Sequence, residues 1–370
     1  MRALDVFNPT RLTWARRRRG LTKTRLAASV GVELRSVSAY ESGEFNPEPE
    51  RLAAIAHTLR FPETFFFGDD IDEPAIDTAS FRSLSKMTAR QRDTALGSGA
   101  VAMLLNEWIE ARFDLPPPKL PDLGRDSNPE AAAATLRQTW ELGELPIKNV
   151  VHLLESKGVR VYSLAIDAVE VDAFSMWRQD RPFVFLNTLK SAEHGRFDAA
   201  HELGHLILHR HAAPNGQEAE QDANAFASAL LMPPASVRAH APRFATIDNL
   251  MRLKKIWGVS LAAMTYRLHK LDLLSEWHYR KLYIEISSRG FRKNEPDGGP
   301  REISQVLQKV FAALRKEGVS KESIAEELRV HPTDIDELVF GLALTSLNGV
   351  AHSDDRTRPR PALRLVSSEE

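Results

Sequence analysis

The sequence predicts a mainly α-helical protein with a small β-sheet, an α+β fold built from more than one domain. Apolar residues recur at helical spacing along most of the chain, in segments that begin with Ser, Thr or Asn. Three short runs rich in valine and aromatic residues, at 159–163, 174–177 and 183–186, have the composition of strands. A length of 370 residues fits two or three domains.

Five short helices are predicted within residues 1–70, which we expect to form the first domain. Asn8 and Thr22 can cap the first two helices, and Pro9 suits a first helical position. Gly31 makes the next turn. The segments predicted to be helical are 8–19, 22–30, 34–41, 50–59 and 62–67.

A linker and a long helix are expected in residues 71–128. The acidic stretch 69–83 predicts an irregular linker, whereas apolar residues at helical spacing predict an amphipathic helix over 88–113. Three prolines at 116–118 mark the next boundary. We expect the long helix to brace the two domains that flank it.

A larger domain is expected at 129–290, followed by a helical C-terminal region at 291–350 and a disordered tail at 351–370. The C-terminal region is acidic, so it suits contact with a partner protein or with a second copy in a homodimer better than contact with DNA. The segments predicted to be helical are 129–142, 147–157, 260–271, 274–288, 319–328 and 332–339.

Composition excludes several classes of protein. Without cysteine there are no disulfides and no thiolate metal sites, so any metal must bind His and carboxylates. No apolar run has the length of a membrane span and the N-terminal residues lack a secretory signal, so we expect a cytoplasmic protein without a membrane partner. Residues 1–45 hold nine Lys/Arg against four Asp/Glu in a chain of net charge −1, which predicts that only this end meets nucleic acid.

His201, Glu202 and His205 form the pattern with the most specific chemistry. Residues four apart share one face of a helix, so the two histidines can hold one metal ion together. Glu202 can reach water at the metal without being a ligand. This arrangement is that of zinc hydrolases, and it predicts Zn²⁺ as the cofactor and Glu202 as the general base. Two buried histidines without a metal are the structural alternative.

A catalytic zinc ion needs a third protein ligand, and we predict Glu220, on the next helix. Asn224 lies one turn further on, where its amide can orient a ligand histidine. The rival third ligand is His211, six residues after His205. Zincins with three histidines need a glycine midway to break the helix, and Leu208 holds that position here. The oxyanion donor stays open among His209, His211, His240 and Tyr266.

This part of the chain resembles the ImmA/IrrE family of zinc metallopeptidases. The resemblance covers roughly residues 145–290 and rests on the segments 197–209, 220–227, 230–233, 174–177 and 182–187. It implies a zincin-like (gluzincin-like) fold and site-specific cleavage of a protein partner, often a helix-turn-helix repressor or an antitoxin. In zincins an exposed sheet edge pairs with the extended substrate, so we expect substrate along one of the predicted strands.

The N-terminal domain resembles the Xre/Cro-type helix-turn-helix family at 26–27, 31–32 and 40–43. The resemblance implies that the third helix enters the major groove of DNA, with Arg35, Ser36 and Ser38 at the base edges. The basic side chains expected near phosphates are Arg16, Arg17, Arg18, Arg19, Lys23 and Arg25. Glu33 departs from the family, because an acidic residue facing DNA opposes binding. A helical protein-interaction module is the alternative.

Three functional hypotheses follow. The chain is a DNA-binding regulator and zinc endopeptidase that cleaves a repressor or antitoxin in prophage, toxin–antitoxin or stress-response control. Alternatively, it is a non-enzymatic regulator in which zinc supports a partner-binding domain, or it is itself the toxin. Glu202 favours the first hypothesis, because a structural zinc site has no need of a general base.

Overall fold

The structure is a computed structural model that describes residues 6–72, 79–81, 88–123, 128–164, 172–210 and 216–343. Its helices surround one four-stranded sheet, so the prediction of a mainly helical α+β protein is confirmed. The tail predicted at 351–370 lies outside the described residues. Within the described ranges, no helix combines the length and the apolar character needed to cross a membrane.

The N-terminal helices lie where the capping residues predicted them. They are α1 (Pro9–Arg18), α2 (Lys23–Val30), α3 (Leu34–Ser42), α4 (Pro49–Leu59) and a 3₁₀ helix (Glu63–Phe67). The side chain of Asn8 accepts a hydrogen bond from the Thr10 N–H, and that of Thr22 accepts one from the Arg25 N–H. Gly31 closes α2 at a φ of 67°, a left-handed conformation that glycine adopts without steric cost. The helices enclose an apolar core that includes Leu12, Leu26, Val37, Ile55 and Phe65.

Within the described residues, twelve further helices and four strands follow. The helices are α5 (Ala89–Glu110), α6 (Pro129–Thr139), α7 (Val150–Ser156), α8 (Ala192–Leu208), α9 (Gln217–Leu231), α10 (Pro234–His240), α11 (Ile247–Trp257), α12 (Leu261–Lys270), α13 (Glu276–Ser288), α14 (Gln305–Lys316), α15 (Lys321–Leu328) and α16 (Pro332–Val339). The strands are β1 (Ala79–Phe81), β2 (Arg160–Ser163), β3 (Ala173–Arg178) and β4 (Arg181–Leu186).

The sheet has the order β1-β3-β4-β2, in which β2 is parallel to β4 and the other neighbours are antiparallel. Three of these strands match the predicted ones. The fourth, β1, lies within 69–83, where we predicted an irregular linker, so that prediction is wrong for 79–81. The strand is formed by its long-range pairing with β3, which local composition does not encode.

Helix α5 lies at the centre of the molecule. We predicted an amphipathic helix, but almost every residue from Thr94 to Ile109 is buried, because α5 contacts α1 as well as α15 and α16. Gly97 has a packing role at the crossing with α1, since a Cβ there would lie 2.8 Å from the Cβ of Arg18. The helix therefore touches the N-terminal helices and the C-terminal helices, and Glu110 at its end forms an ion pair with Arg160 of β2.

Arginines of α1 form ion pairs inside the protein. Buried Arg18 donates to Ser98 Oγ at 2.9 Å and to Asp334 Oδ1 at 2.6 Å, and Arg19 donates to both oxygens of Asp334 at 3.0 Å. Arg17 pairs with Asp93 of α5 at 2.9 Å. This arrangement argues against our prediction that these arginines contact DNA phosphates. It also gives the acidic C-terminal segment a partner within its own chain.

We expect Asp334→Asn to lower the free energy of unfolding by about 3 kcal/mol, because it leaves buried Arg18 with less counter-charge. Asp336→Asn is the matched control, since the Asp336 side chain is 54% exposed where it pairs with Lys321, and an ion pair with a solvent-exposed carboxylate contributes about 1 kcal/mol. Urea denaturation of both variants measures the difference. Equal losses in the two variants would show that the buried cluster contributes no more than a surface pair.

The contribution of Asp334 depends on pH. Burial acts to raise the pKa of Asp334, but the charges of Arg18 and Arg19 outweigh it and lower the pKa below the ordinary value. A lowered folded-state pKa means that the stabilisation is complete above the unfolded-state value of about 4. This stabilisation is lost as the pH falls through the lowered pKa that Asp334 has in the folded protein.

Candidate metal centre

Helix α8 carries two histidines into the interior. Ser191 caps the helix by accepting a hydrogen bond from the His194 N–H, and apolar residues flank the motif, so this stretch is buried on all sides. His201 and His205 are almost fully buried, one turn apart. Their Nε2 atoms lie 3.1 Å from each other. Both imidazoles therefore direct one nitrogen to the same point.

Helix α9 brings a carboxylate to that point. Glu220 Oε2 lies 3.5 Å from His201 Nε2, and Glu220 Oε1 lies 3.2 Å from His205 Nε2. One nitrogen from each histidine and a Glu220 oxygen lie within 4.8 Å of one another. Two imidazole nitrogens and one carboxylate oxygen are the donor set of a gluzincin-type zinc site, so these residues fit the predicted metal.

Close packing of α8 on α9 makes this convergence possible. A Cβ at Gly204 would lie 3.0 Å from a ring carbon of Phe226 and 3.2 Å from the Cα of Ala223. Glycine at 204 and alanine at 223 therefore keep the two helix axes close. The importance of Gly204 was missed in the sequence, although the small residue between the two histidines was its signal.

Neighbouring side chains orient the two histidines. Asn224 Oδ1 lies 3.2 Å from His201 Nδ1, while the Asn224 amide donates to the Glu220 carbonyl at 2.7 Å, which fixes the direction of the amide. An oxygen acceptor at Nδ1 selects the tautomer with its proton there, so the lone pair of His201 Nε2 points toward Glu220. Asn224 thus lies where its predicted role requires it to be.

His205 has a comparable neighbour in His209, the residue that ends α8. The two Nδ1 atoms lie 3.1 Å apart. Burial, followed by the charge of His205, lowers the pKa of His209 to about 4, so His209 is neutral at neutral pH and can accept the His205 Nδ1 proton. His209 therefore supports His205 in the tautomer that a metal ligand needs.

The Glu220 side chain is an anion at neutral pH. Burial acts to raise its pKa, but hydrogen bonds and charge from His201 and His205 outweigh burial and hold the pKa at about 2. A carboxylate in this state binds a divalent cation without first losing a proton.

Glu202 lies on the side of α8 that faces the sheet. Its side chain is fully buried, and the hydroxyl of Ser175 on β3 donates to Glu202 Oε2 at 2.7 Å. Strand β3 is tied to the helix again by Trp177, whose Nε1 donates to the Leu206 carbonyl at 3.1 Å. The predicted general base is thus held between the active-site helix and a strand. Ser175 was missed in the sequence, because serine in a strand carries no distinctive signal.

Both edges of β3 are paired. One edge is paired with β4 along its whole length, and the other is paired with β1, which sets Ser80 opposite Ser175. Asp72 forms an ion pair with Arg178 at the end of β3. The edge of the sheet next to Glu202 is therefore covered by the segment that follows the N-terminal helices.

The candidate oxyanion donors lie in different surroundings. His240 contacts the Ser236 carbonyl and packs on Trp257, and Tyr266 packs on Tyr279. His211 lies outside the described residues. Among the three candidates that the structure describes, His209 is the one in contact with a predicted metal ligand.

The predicted DNA-contacting residues fall into two groups. Arg35 on α3 and Arg25 on α2 are exposed, and Ser36 and Ser38 are half-buried on α3. In contrast, Arg16 donates to both oxygens of Glu41 and to the Leu21 carbonyl. The members of this second group, which are paired within the chain, are Arg16, Arg17, Arg18, Arg19 and Lys23; Lys23 Nζ lies 3.3 Å from Glu41. Arg35, which is exposed on α3, is therefore accessible for the predicted contact with DNA.

Comparison with known families agrees with this geometry. Residues 154–269 match the IrrE N-terminal-like domain of the M78 peptidases, which are typically metal-dependent, and residues 12–66 match the helix-turn-helix family. No curated protein matches the chain. The first match contains the converging His201, His205 and Glu220, and the second contains α2 and α3. Residues 154–269 are therefore similar to the IrrE N-terminal-like peptidase domain, and residues 12–66 are similar to a helix-turn-helix domain.

Proposed function

We propose that this protein is a zinc-dependent endopeptidase that cleaves a protein partner and also binds DNA through its N-terminal domain. One observation carries the proposal: two buried imidazole nitrogens converge with the Glu220 carboxylate, and the helix that carries both histidines also carries a second, buried carboxylate, Glu202. A site that only supports the fold needs ligands but no adjacent base. The domain pairing suggests a regulator of transcription whose peptidase acts on another regulator.

The residues divide the chemistry between them. His201, His205 and Glu220 hold the metal, and Asn224 and His209 keep the histidine rings in place. When bound, zinc supplies Lewis acidity to water and to the scissile carbonyl. Glu202 accepts the proton of the attacking water and delivers it to the nitrogen of the leaving amine. Burial of Glu202 excludes bulk water, which strengthens its interaction with charge that develops during the reaction.

The substrate is proposed to bind as an extended segment along the sheet, parallel to α8. Strand addition supplies backbone hydrogen bonds that do not depend on sequence, so side-chain pockets must provide specificity. A cleft of about 500 Å³ at the end of β3, lined in part by Trp177, Asp180 and Arg210, is available for this purpose. Because β1 pairs with the outer edge of β3, a substrate that uses this edge has to displace β1.

A helix-turn-helix repressor or an antitoxin is the substrate class that we propose, by analogy with the family. The experiment is incubation of the zinc-loaded protein with the small regulators encoded beside it, followed by mass spectrometry of the products. We expect one defined cut in one of these partners, and no cut after removal of zinc with a chelator. Cleavage that persists in the chelated protein would exclude the metal centre as its cause.

The exposed part of α3 predicts a sequence-specific contact with DNA. We expect Arg35→Ala to lower affinity for an operator selected from random DNA by about 1–3 kcal/mol, with less effect on random DNA. Arg25→Ala should weaken both complexes equally and reduce the salt dependence, because phosphate contacts carry no sequence information. Arg280→Ala is the control, because Arg280 is exposed on α13, outside the N-terminal domain, and its loss should change neither affinity. Binding is measured by fluorescence anisotropy at several salt concentrations.

Two results would contradict the DNA prediction. One is an operator affinity that is unchanged in both Arg35→Ala and Arg25→Ala. The other is DNA binding that survives removal of residues 1–70, since we assign the affinity to that domain. Either result would favour the alternative of a helical protein-interaction module.

A further inference from the structure

Ser175 lies at the centre of β3, directly across from the predicted general base. The residue is almost fully buried, and its hydroxyl lies 2.7 Å from Glu202 Oε2 and 3.2 Å from the Glu202 carbonyl oxygen. A buried serine can satisfy its hydroxyl without reaching a helix, as Ser163 of β2 does by contacting the Leu164 carbonyl and the Thr188 hydroxyl. Ser175 instead reaches from the sheet to a side chain of α8.

The position of Ser175 relative to α8 is tightly defined. Strand β3 pairs with β4 from Ala173 to Arg178, and the Trp177 indole N–H donates to the Leu206 carbonyl one turn further along α8. These contacts prevent the strand from sliding along the helix. A hydroxyl on such a strand can therefore hold a carboxylate on the helix in one orientation.

We propose that Ser175 is a positioning residue for Glu202, and that its hydroxyl holds the Glu202 carboxylate in the orientation that proton transfer requires. The inference rests on the proposed peptidase function. A general base must stay within about 3 Å of the oxygen or nitrogen whose proton it takes, and a carboxylate held at one oxygen cannot rotate without breaking the hydrogen bond that holds it. A hydrogen bond to a charged acceptor in a buried site is stronger than one between neutral groups, so it can restrain the side chain.

A structural role for Ser175 predicts different behaviour. If the hydroxyl only satisfies a buried polar group, its removal changes stability but not the behaviour of the metal centre in the folded protein. Thr and Val have nearly the same shape and differ in the hydroxyl, so Ser175→Thr and Ser175→Val add the same bulk and separate the two roles. Ser175→Ala removes the hydroxyl without added bulk, which covers the case in which both larger variants fail to fold.

The test uses the full-length zinc-loaded protein and acetohydroxamate as the probe. A hydroxamate chelates zinc through its two oxygens and presents a proton to the neighbouring carboxylate, so its affinity reports the orientation of that carboxylate without any substrate. We expect Ser175→Val and Ser175→Ala to weaken acetohydroxamate binding by about 10-fold or more, within the range for loss of an outer-shell partner, at unchanged zinc content. Ser175→Thr should remain within about threefold of the unmodified protein.

Cleavage of a partner gives the second readout. We expect the valine and alanine variants to lower kcat by about 10–100-fold with little change in KM, and threonine to restore kcat. Equal acetohydroxamate affinity in the valine and threonine variants would overturn the role of Ser175 while leaving the peptidase proposal intact. If the unmodified protein binds neither zinc nor acetohydroxamate, the peptidase proposal itself fails.

Discussion

Replacement of Glu202 by glutamine is expected to abolish cleavage while zinc and the fold are retained. Glutamine has the same shape as glutamate and can still accept the hydrogen bond from Ser175, so the buried contact between α8 and β3 is kept. The amide cannot take a proton from water, and loss of a general base typically costs about 100-fold or more in rate. The effect should therefore fall on kcat alone.

The measurement combines zinc analysis, thermal unfolding and the partner-cleavage assay. Glu218→Gln is the matched control, because Glu218 is exposed on α9 and is not one of the residues that converge on the site. It should cleave at the unmodified rate. Full activity in Glu202→Gln would remove Glu202 from the mechanism, and loss of zinc in this variant would assign Glu202 a role in metal binding instead.

The features that could be predicted from the sequence are those encoded over a few residues. Asn8, Thr22 and Ser260 each accept a hydrogen bond from a backbone N–H in the first turn of the helix that follows, so a helix start is visible locally. The pairing of His201 with His205 is local for the same reason, because a four-residue spacing sets both side chains on one face. Glu220 and Asn224 could be predicted because they too share a helix face.

The features that could not be predicted depend on partners far away in the chain. Strand β1 exists because β3 offers it an edge, and α5 is buried on most sides because α1 and α16 cover the face that its spacing left polar. The basic run of α1 has the composition of a phosphate-binding surface, but Asp334 lies more than three hundred residues away in sequence and pairs with Arg18 and Arg19. Charge runs do not reveal which charges are already paired.

The choice of the third metal ligand lies between Glu220 and His211. In zincins with three histidines, a glycine in a left-handed conformation ends the helix and returns the last histidine to the metal. Here α8 continues through Leu208, and the residue that ends it, His209, has a φ of −114° and donates its N–H to the His205 carbonyl. Between His205 and Arg210, where the description of this segment ends, the chain therefore contains no such break. Glu220 needs none, because it arrives on a separate helix.

We therefore expect Glu220→Ala to lower zinc affinity by at least tenfold and to abolish cleavage, because two imidazoles alone leave the ion with too few protein ligands. His211→Ala should retain both properties. Glu218→Ala serves as the control for loss of a carboxylate from the first turn of α9. Zinc affinity is measured by competition with a chromophoric chelator, and cleavage is measured with whichever neighbouring regulator the mass-spectrometry experiment finds to be cut. Loss of zinc in His211→Ala together with normal zinc binding in Glu220→Ala would reverse the assignment, and with it the classification of the centre as a two-histidine, one-glutamate site.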